Sequence, residues 1–170
     1  MRRIAITAVV ALLVGVMAAP AGAGAERNFR AHLNGDGAGV ETLAQGQAIF
    51  QFSKDGSELS YKLIVAGLDN LWMAHIHVAE TPGGNGPPVV WLLPEAPPPP
   101  AASIAGTSNG VVAEGTVIEG DAGAAISFDD LLEAIADGRA YVNVHTNDFV
   151  DPPNTGPGDF PGGEIRGDVH

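Results

Sequence analysis

The stretch LWMAHIHVA, Leu71–Ala79, decides how this chain folds. Read with a period of two, Ala74, Ile76 and Val78 fall on one side, and His75 and His77 fall on the other. Alternation of this kind describes a β-strand with one face against a core. The apolar set faces inward, so the two imidazoles share the outer face, ~6.5–7 Å apart along the strand.

The same pattern recurs on both sides of that stretch. Asn28–Leu33 places Phe29, Ala31 and Leu33 on one side, and Leu59–Val65 does the same with Leu59, Tyr61, Leu63 and Val65. Gln47–Phe52, Val89–Leu93, Gly110–Ile118, Ala140–Thr146 and Glu164–Val169 complete about eight short strands. KDGS, Lys54–Ser57, reads as a hairpin turn between two of them. Many short strands divided by Gly and Pro point to an all-β sandwich or barrel. One segment breaks the period. SFDDLLEAIADG, Ser127–Gly138, spaces Phe128, Leu131, Leu132 and Ile135 as a short amphipathic helix, with Ser127 as N-cap and Gly138 at its end.

The N-terminus reads differently. Met1-Arg2-Arg3 is basic, Ile4–Ala19 is almost wholly apolar, and a run of small residues ends at Ala25. This is the layout of a secretory signal peptide over residues 1–25, cleaved after Ala25. A membrane anchor is the competing reading, but an apolar run of 16 residues is short of the ~20 that a spanning helix needs. The remainder, 26–170, fits one domain with a real core. It holds all 20 acidic residues and six of the eight basic ones, a formal charge of −14. Such a surface repels nucleic acid and anionic membranes and attracts cations. The expected location is secreted or periplasmic. The chain has no Cys, which removes thiolate ligands, cysteine nucleophiles and disulfides, so any metal must be held by His, carboxylate, amide or backbone oxygen.

Three strands offer polar side chains on the faces that avoid the core. To His75 and His77 the segment RAYVNVHTND, Arg139–Asp148, adds Tyr141, Asn143 and His145, and GGEIRGDV, Gly162–Val169, adds Glu164 and Arg166. With strands ~4.8 Å apart these groups form one patch if the strands are neighbours. Neutral imidazole is a good ligand for copper and zinc. A His-x-His pair and a third His from an adjacent strand can close on one ion. Tyr141, Asn143, Glu164 and Arg166 are then the candidates to orient the rings. His32 could approach the patch, and His170 is terminal. Two long Gly- and Pro-rich loops, Glu80–Pro88 and Asn147–Gly163, leave from its edges, and Pro94–Pro100 reads as polyproline II. No Walker loop, dinucleotide fingerprint or EF-hand spacing is present.

FRAHLNG at Phe29–Gly35, GLDNLWMAHIHVA at Gly67–Ala79, GNGPPVVWL at Gly84–Leu92, LLEAIADGRAYVNVHT at Leu131–Thr146 and PGGEIRGDV at Pro161–Val169 together resemble the CHRD domain, a module repeated in chordin and found singly in exported bacterial proteins. The resemblance implies a Greek-key β-sandwich of immunoglobulin-like or superoxide-dismutase-like type. It makes His75, His77 and His145 the motif histidines, and places Glu164 and Arg166 in the closing motif. The Pro94–Ala101 insertion and the extended Asn147–Gly163 loop depart from the family pattern. At the level of fold, the His-x-His strand is similar to copper–zinc superoxide dismutases. No bridging histidine or zinc cluster is evident, so dismutase activity is not expected.

Three functions remain open. The first is an exported module binding one metal ion, copper ahead of zinc, for storage, delivery or structure. The alternative is a metal-free module that binds another extracellular protein. The third is a copper redox enzyme at the same histidines.

Overall fold

The computed structural model describes residues 27–170. The expected signal peptide and its cleavage point lie outside the described residues. Among the described residues seven strands form: β1 (Asn28–Asn34), β2 (Gln45–Phe52), β3 (Glu58–Val78), β4 (Pro88–Leu93), β5 (Ile104–Ile118), β6 (Ala140–Thr146) and β7 (Ile165–Asp168). Among the described residues there is one helix of more than a single turn, α2 (Phe128–Ala136), and a four-residue turn, α1 (Gly35–Ala38). The all-β expectation with one short helix therefore holds.

β3 organises the molecule. Two strands were expected over Leu59–Val65 and Leu71–Ala79, but they are one strand of 21 residues. The alternation breaks at Gly67 and Asn70, which have φ of 67° and 48°. Hydrogen bonding nevertheless runs on, because β5 pairs with β3 from Glu58↔Ile118 to Leu71↔Ile104, with register shifts at the break. At the same break β3 changes its other partner. Gln45–Phe52 pair with Leu59–Ala66, whereas Ala140–Thr146 pair with Leu71–Val78. The strand order β2-β1-β7-β6-β3, with β2 also joined to β3, closes into a barrel-like ring, and β4 and β5 extend from β3. The C-terminal His170 is tied into the ring, its backbone exchanging two 2.9 Å hydrogen bonds with Arg30.

The apolar faces meet inside this ring. Leu33, Phe50, Leu63, Ile76, Val144 and Ile165 are fully or almost fully buried there. α2 closes one side with Phe128, Leu131 and Ile135, and Phe128 meets Phe52 edge to face at 5.5 Å between centroids. Ser127 caps the helix as the sequence predicts, accepting from the Asp130 N–H at 3.1 Å. The hairpin at Lys54–Ser57 also forms, with Asp55 accepting from both flanking serines, which holds its carboxyl down at about 2.

β6 has both faces buried over its whole length. Its inner face contributes Ala140, Val142 and Val144 to the core. What covers the outer face is the functional question.

Candidate metal centre

Register sets the cluster. β3 and β6 are antiparallel neighbours with Met73↔His145, His75↔Asn143 and His77↔Tyr141 directly opposed. His75 and His77 share the outer face of β3, and His145 lies diagonally across from His75 on β6. The three imidazoles converge, with centroids 5.1 Å apart for His75–His145, 5.6 Å for His75–His77 and 5.9 Å for His77–His145. One ring nitrogen from each lies within 4.8 Å of the others. His32, which faces solvent on β1, is not part of the cluster.

The histidines point away from the core, as the alternation requires, but they do not meet solvent. Their exposures are 3%, 7% and 6% for His75, His77 and His145. Trp91 of β4, paired with His75, sets its ring edge to face against that imidazole at 4.3 Å. The two long loops supply the rest of the cover. The Gly86 carbonyl accepts from His77 Nδ1 at 2.9 Å, and the Pro161 carbonyl accepts from His145 Nδ1 at 2.9 Å. Both loops need glycine to come this close. A Cβ on Gly86 would lie 1.8 Å from the Val78 carbonyl oxygen, and one on Gly163 would lie 2.1 Å from the Asn143 side-chain oxygen.

These two carbonyls decide the tautomers. A carbonyl only accepts, so His77 and His145 carry their protons on Nδ1 and present lone pairs at Nε2. His145 Nε2 faces His75 Nδ1 at 3.2 Å. His75 Nε2 and His77 Nε2 are buried with no hydrogen-bond partner among the described residues. Buried polar nitrogens without partners cost about 1–3 kcal/mol each. A bound cation would relieve that at His77 Nε2. The 3.2 Å separation is close to the ~3.4 Å between two ligands of one tetrahedral ion with bonds near 2.05 Å. The residues therefore fit a metal ion by position, burial and tautomer.

Their electrostatics point the same way. Burial, with the neighbouring imidazoles of His145 and His77, pushes His75 down to about 3. Burial takes His145 down to about 4, against the opposing effect of the Pro161 carbonyl and with help from His77. His77 is lowered by burial first and by the Arg166 charge, while the Gly86 carbonyl raises it. All three rings are thus neutral and competent as ligands at neutral pH.

The four residues expected around the imidazoles take other parts. Tyr141 stacks on His77 at 5.0 Å and 14° between planes. Its hydroxyl meets Gly86, accepting from the N–H at 3.1 Å. Arg166 lies over the other part of this stack, its guanidinium carbon 3.4 Å from the Tyr141 centroid. It donates to Asn85 Oδ1 at 2.7 Å and to the Gly84 carbonyl at 2.6 Å, which pins the Glu80–Pro88 loop over the site. Asn143 donates to the Gly162 carbonyl at 2.9 Å and so holds the second loop.

Glu164 was expected to point outward with Arg166, and this is corrected. Gly163, at φ 123°, departs from extended backbone, and β7 begins only at Ile165, so the alternation does not reach back to Glu164. Its carboxylate is fully buried and accepts from Thr42 Oγ1 at 2.6 Å, Thr146 Oγ1 at 2.7 Å and the Gly158 N–H at 2.7 Å. Among the described residues it hydrogen-bonds no histidine. Gly86, Pro161 and Trp91 were not singled out from the sequence. Trp91 was legible as the outward residue between inward Val90 and Leu92, but a backbone carbonyl leaves no mark in a sequence.

No curated protein and no solved structure matches the chain at a significant level. The CHRD domain family matches residues 29–152, a span that includes His75, His77, His145 and Tyr141 and stops before Glu164 and Arg166. That span is most of the chain, and the protein belongs to the CHRD domain family.

Proposed function

We propose that this CHRD domain is an exported module that binds one metal ion through His75, His77 and His145, copper ahead of zinc. The observation that carries this reading is the buried triad with nitrogens within 4.8 Å, two of its rings locked by carbonyls so that Nε2 carries the lone pair. Imidazole donors bind copper(II) more tightly than zinc. The acidic surface favours a cation and disfavours nucleic acid as a partner. Export rests on the signal-like residues 1–25. No helix among the described residues is long and apolar enough to cross a membrane. Storage, delivery or structural use suits so enclosed a site better than redox turnover, which would need an open position for a substrate.

A second reading has its own support. β5 carries half-exposed Ile104, Val111 and Ile118 and, among the described residues, pairs only with β3, so a metal-free module could bind another extracellular protein along that strand.

Copper and zinc titration of the chain lacking residues 1–25, with metal content by mass spectrometry, tests the first reading. Trp91 against His75 makes copper binding visible as quenched tryptophan fluorescence. One equivalent bound by the wild type and lost in His75→Ala/His77→Ala supports the site. Equal and weak binding by both proteins overturns it and favours the β5 reading.

A further inference from the structure

One buried side chain on the histidine face is unaccounted for. Met73 is only 7% exposed, yet it is not part of the apolar cluster that fills the barrel. Position explains this. On β3 it stands two residues before His75 and four before His77, on the same face, and its register partner on β6 is His145. Directly opposed side chains in an antiparallel pair start ~4.5–5.5 Å apart at Cβ. The methionine side chain is unbranched and flexible, so its thioether can turn toward a neighbour at that range. The other buried members of this face, His75, His77, Tyr141, Asn143 and His145, are all polar or aromatic.

We propose that Met73 supplies a thioether sulfur as a further ligand to the ion held by the three histidines, and so makes the site selective for copper(I). This rests on the metal-binding reading above. Three imidazoles alone accept copper(II) and zinc, and nothing in them singles out copper(I). A neutral thioether is a soft donor that adds affinity for copper(I) and little for zinc. If Met73 only filled space beneath the loops, leucine would serve equally well, since the exchange conserves volume.

The test compares wild type with Met73→Leu, both without residues 1–25. Copper(I) affinity is measured by competition with a chromophoric copper(I) chelator, zinc affinity by competition with a zinc chelator, and the ligand set by X-ray absorption at the copper edge. The wild type should show a sulfur scatterer that Met73→Leu lacks. Copper(I) affinity should fall by about tenfold or more while zinc affinity stays within about twofold. Wild type loaded with copper(I) but showing only nitrogen neighbours overturns the proposal, and that measurement needs no variant to fold. Equal copper(I) affinity in the two proteins overturns it as well, while leaving the histidine site standing. A wild type that binds neither metal overturns both readings.

Discussion

The buried triad should make the metal-free fold acid-sensitive in a window set by histidine rather than by carboxylates. His75 is lowered to about 3 and His145 to about 4, against an ordinary value of 6.5. Both stay neutral in the fold and become charged when the chain unfolds. The unfolded state therefore binds more protons below pH 6.5, and stability falls as pH falls from there toward the folded values. Above pH 6.5 the contribution is fully present, and below about 3 nothing further is lost. At pH 4.5 the loss is about 2–3 kcal/mol from each of His75 and His145, each pH unit of displacement being worth ~1.36 kcal/mol. Their sum, about 5 kcal/mol, rivals the whole stability of a marginal domain. Lowering of His77 adds to it in the same direction.

The assay is urea unfolding in chelator at pH 7.5, 6.5, 5.5 and 4.5, for wild type and for His75→Leu/His145→Leu. Wild-type stability should drop steeply over this range, and the difference between the two proteins should shrink by about 5 kcal/mol as the pH falls to 4.5. Taking that difference cancels the carboxylates, which both proteins share. Imidazole carbon shifts by NMR provide the direct check: His75 and His145 should stay neutral at pH 5. Parallel stability profiles, or imidazoles titrating near pH 6.5, would refute the enclosed-triad account.

Gly86→Ala should push the Glu80–Pro88 loop off the site, because the new Cβ would meet the Val78 carbonyl oxygen at 1.8 Å. Loss of the carbonyl that orients His77 should weaken copper binding about 10–100-fold, read by chelator competition. Arg166→Ala removes two hydrogen bonds to that loop and the contact over Tyr141. Amide hydrogen exchange at Gly84–Gly86 should quicken, with stability lower by about 1–3 kcal/mol in urea unfolding. Glu164→Ala leaves the buried Thr146 hydroxyl, the part-buried Thr42 hydroxyl and the Gly158 N–H without their acceptor. It should cost about 3–5 kcal/mol in thermal or urea unfolding, with Glu164→Gln milder because its amide oxygen still accepts. Metal-loaded protein should keep its ion to nearer pH 4 than pH 6, since lowered imidazoles resist proton competition, and dialysis across that range with metal analysis checks it.

The sequence by itself determined the all-β class, the short helix with its Ser127 cap, the Lys54–Ser57 hairpin and the shared face of His75 and His77. Each of these rests on period and local chemistry, which act over a few residues. His145 was legible too, because the same alternation put it on the core-averse face of its own strand. Tertiary structure alone decided the rest. Whether Leu59–Val65 and Leu71–Ala79 were two strands or one depended on β5 pairing across Gly67 and Asn70, a contact made some forty residues away in sequence. Which way Glu164 turned depended on the bent backbone at Gly163 and on acceptor-seeking groups at Thr42, Thr146 and Gly158. Alternation placed the histidines outside the core, but it could not say that they were dry. That followed from Trp91 and two long loops folding over them, and from the carbonyls of Gly86 and Pro161 fixing their protons. A carbonyl belongs to every residue alike, so only the path of the folded chain shows which two of them hold the site.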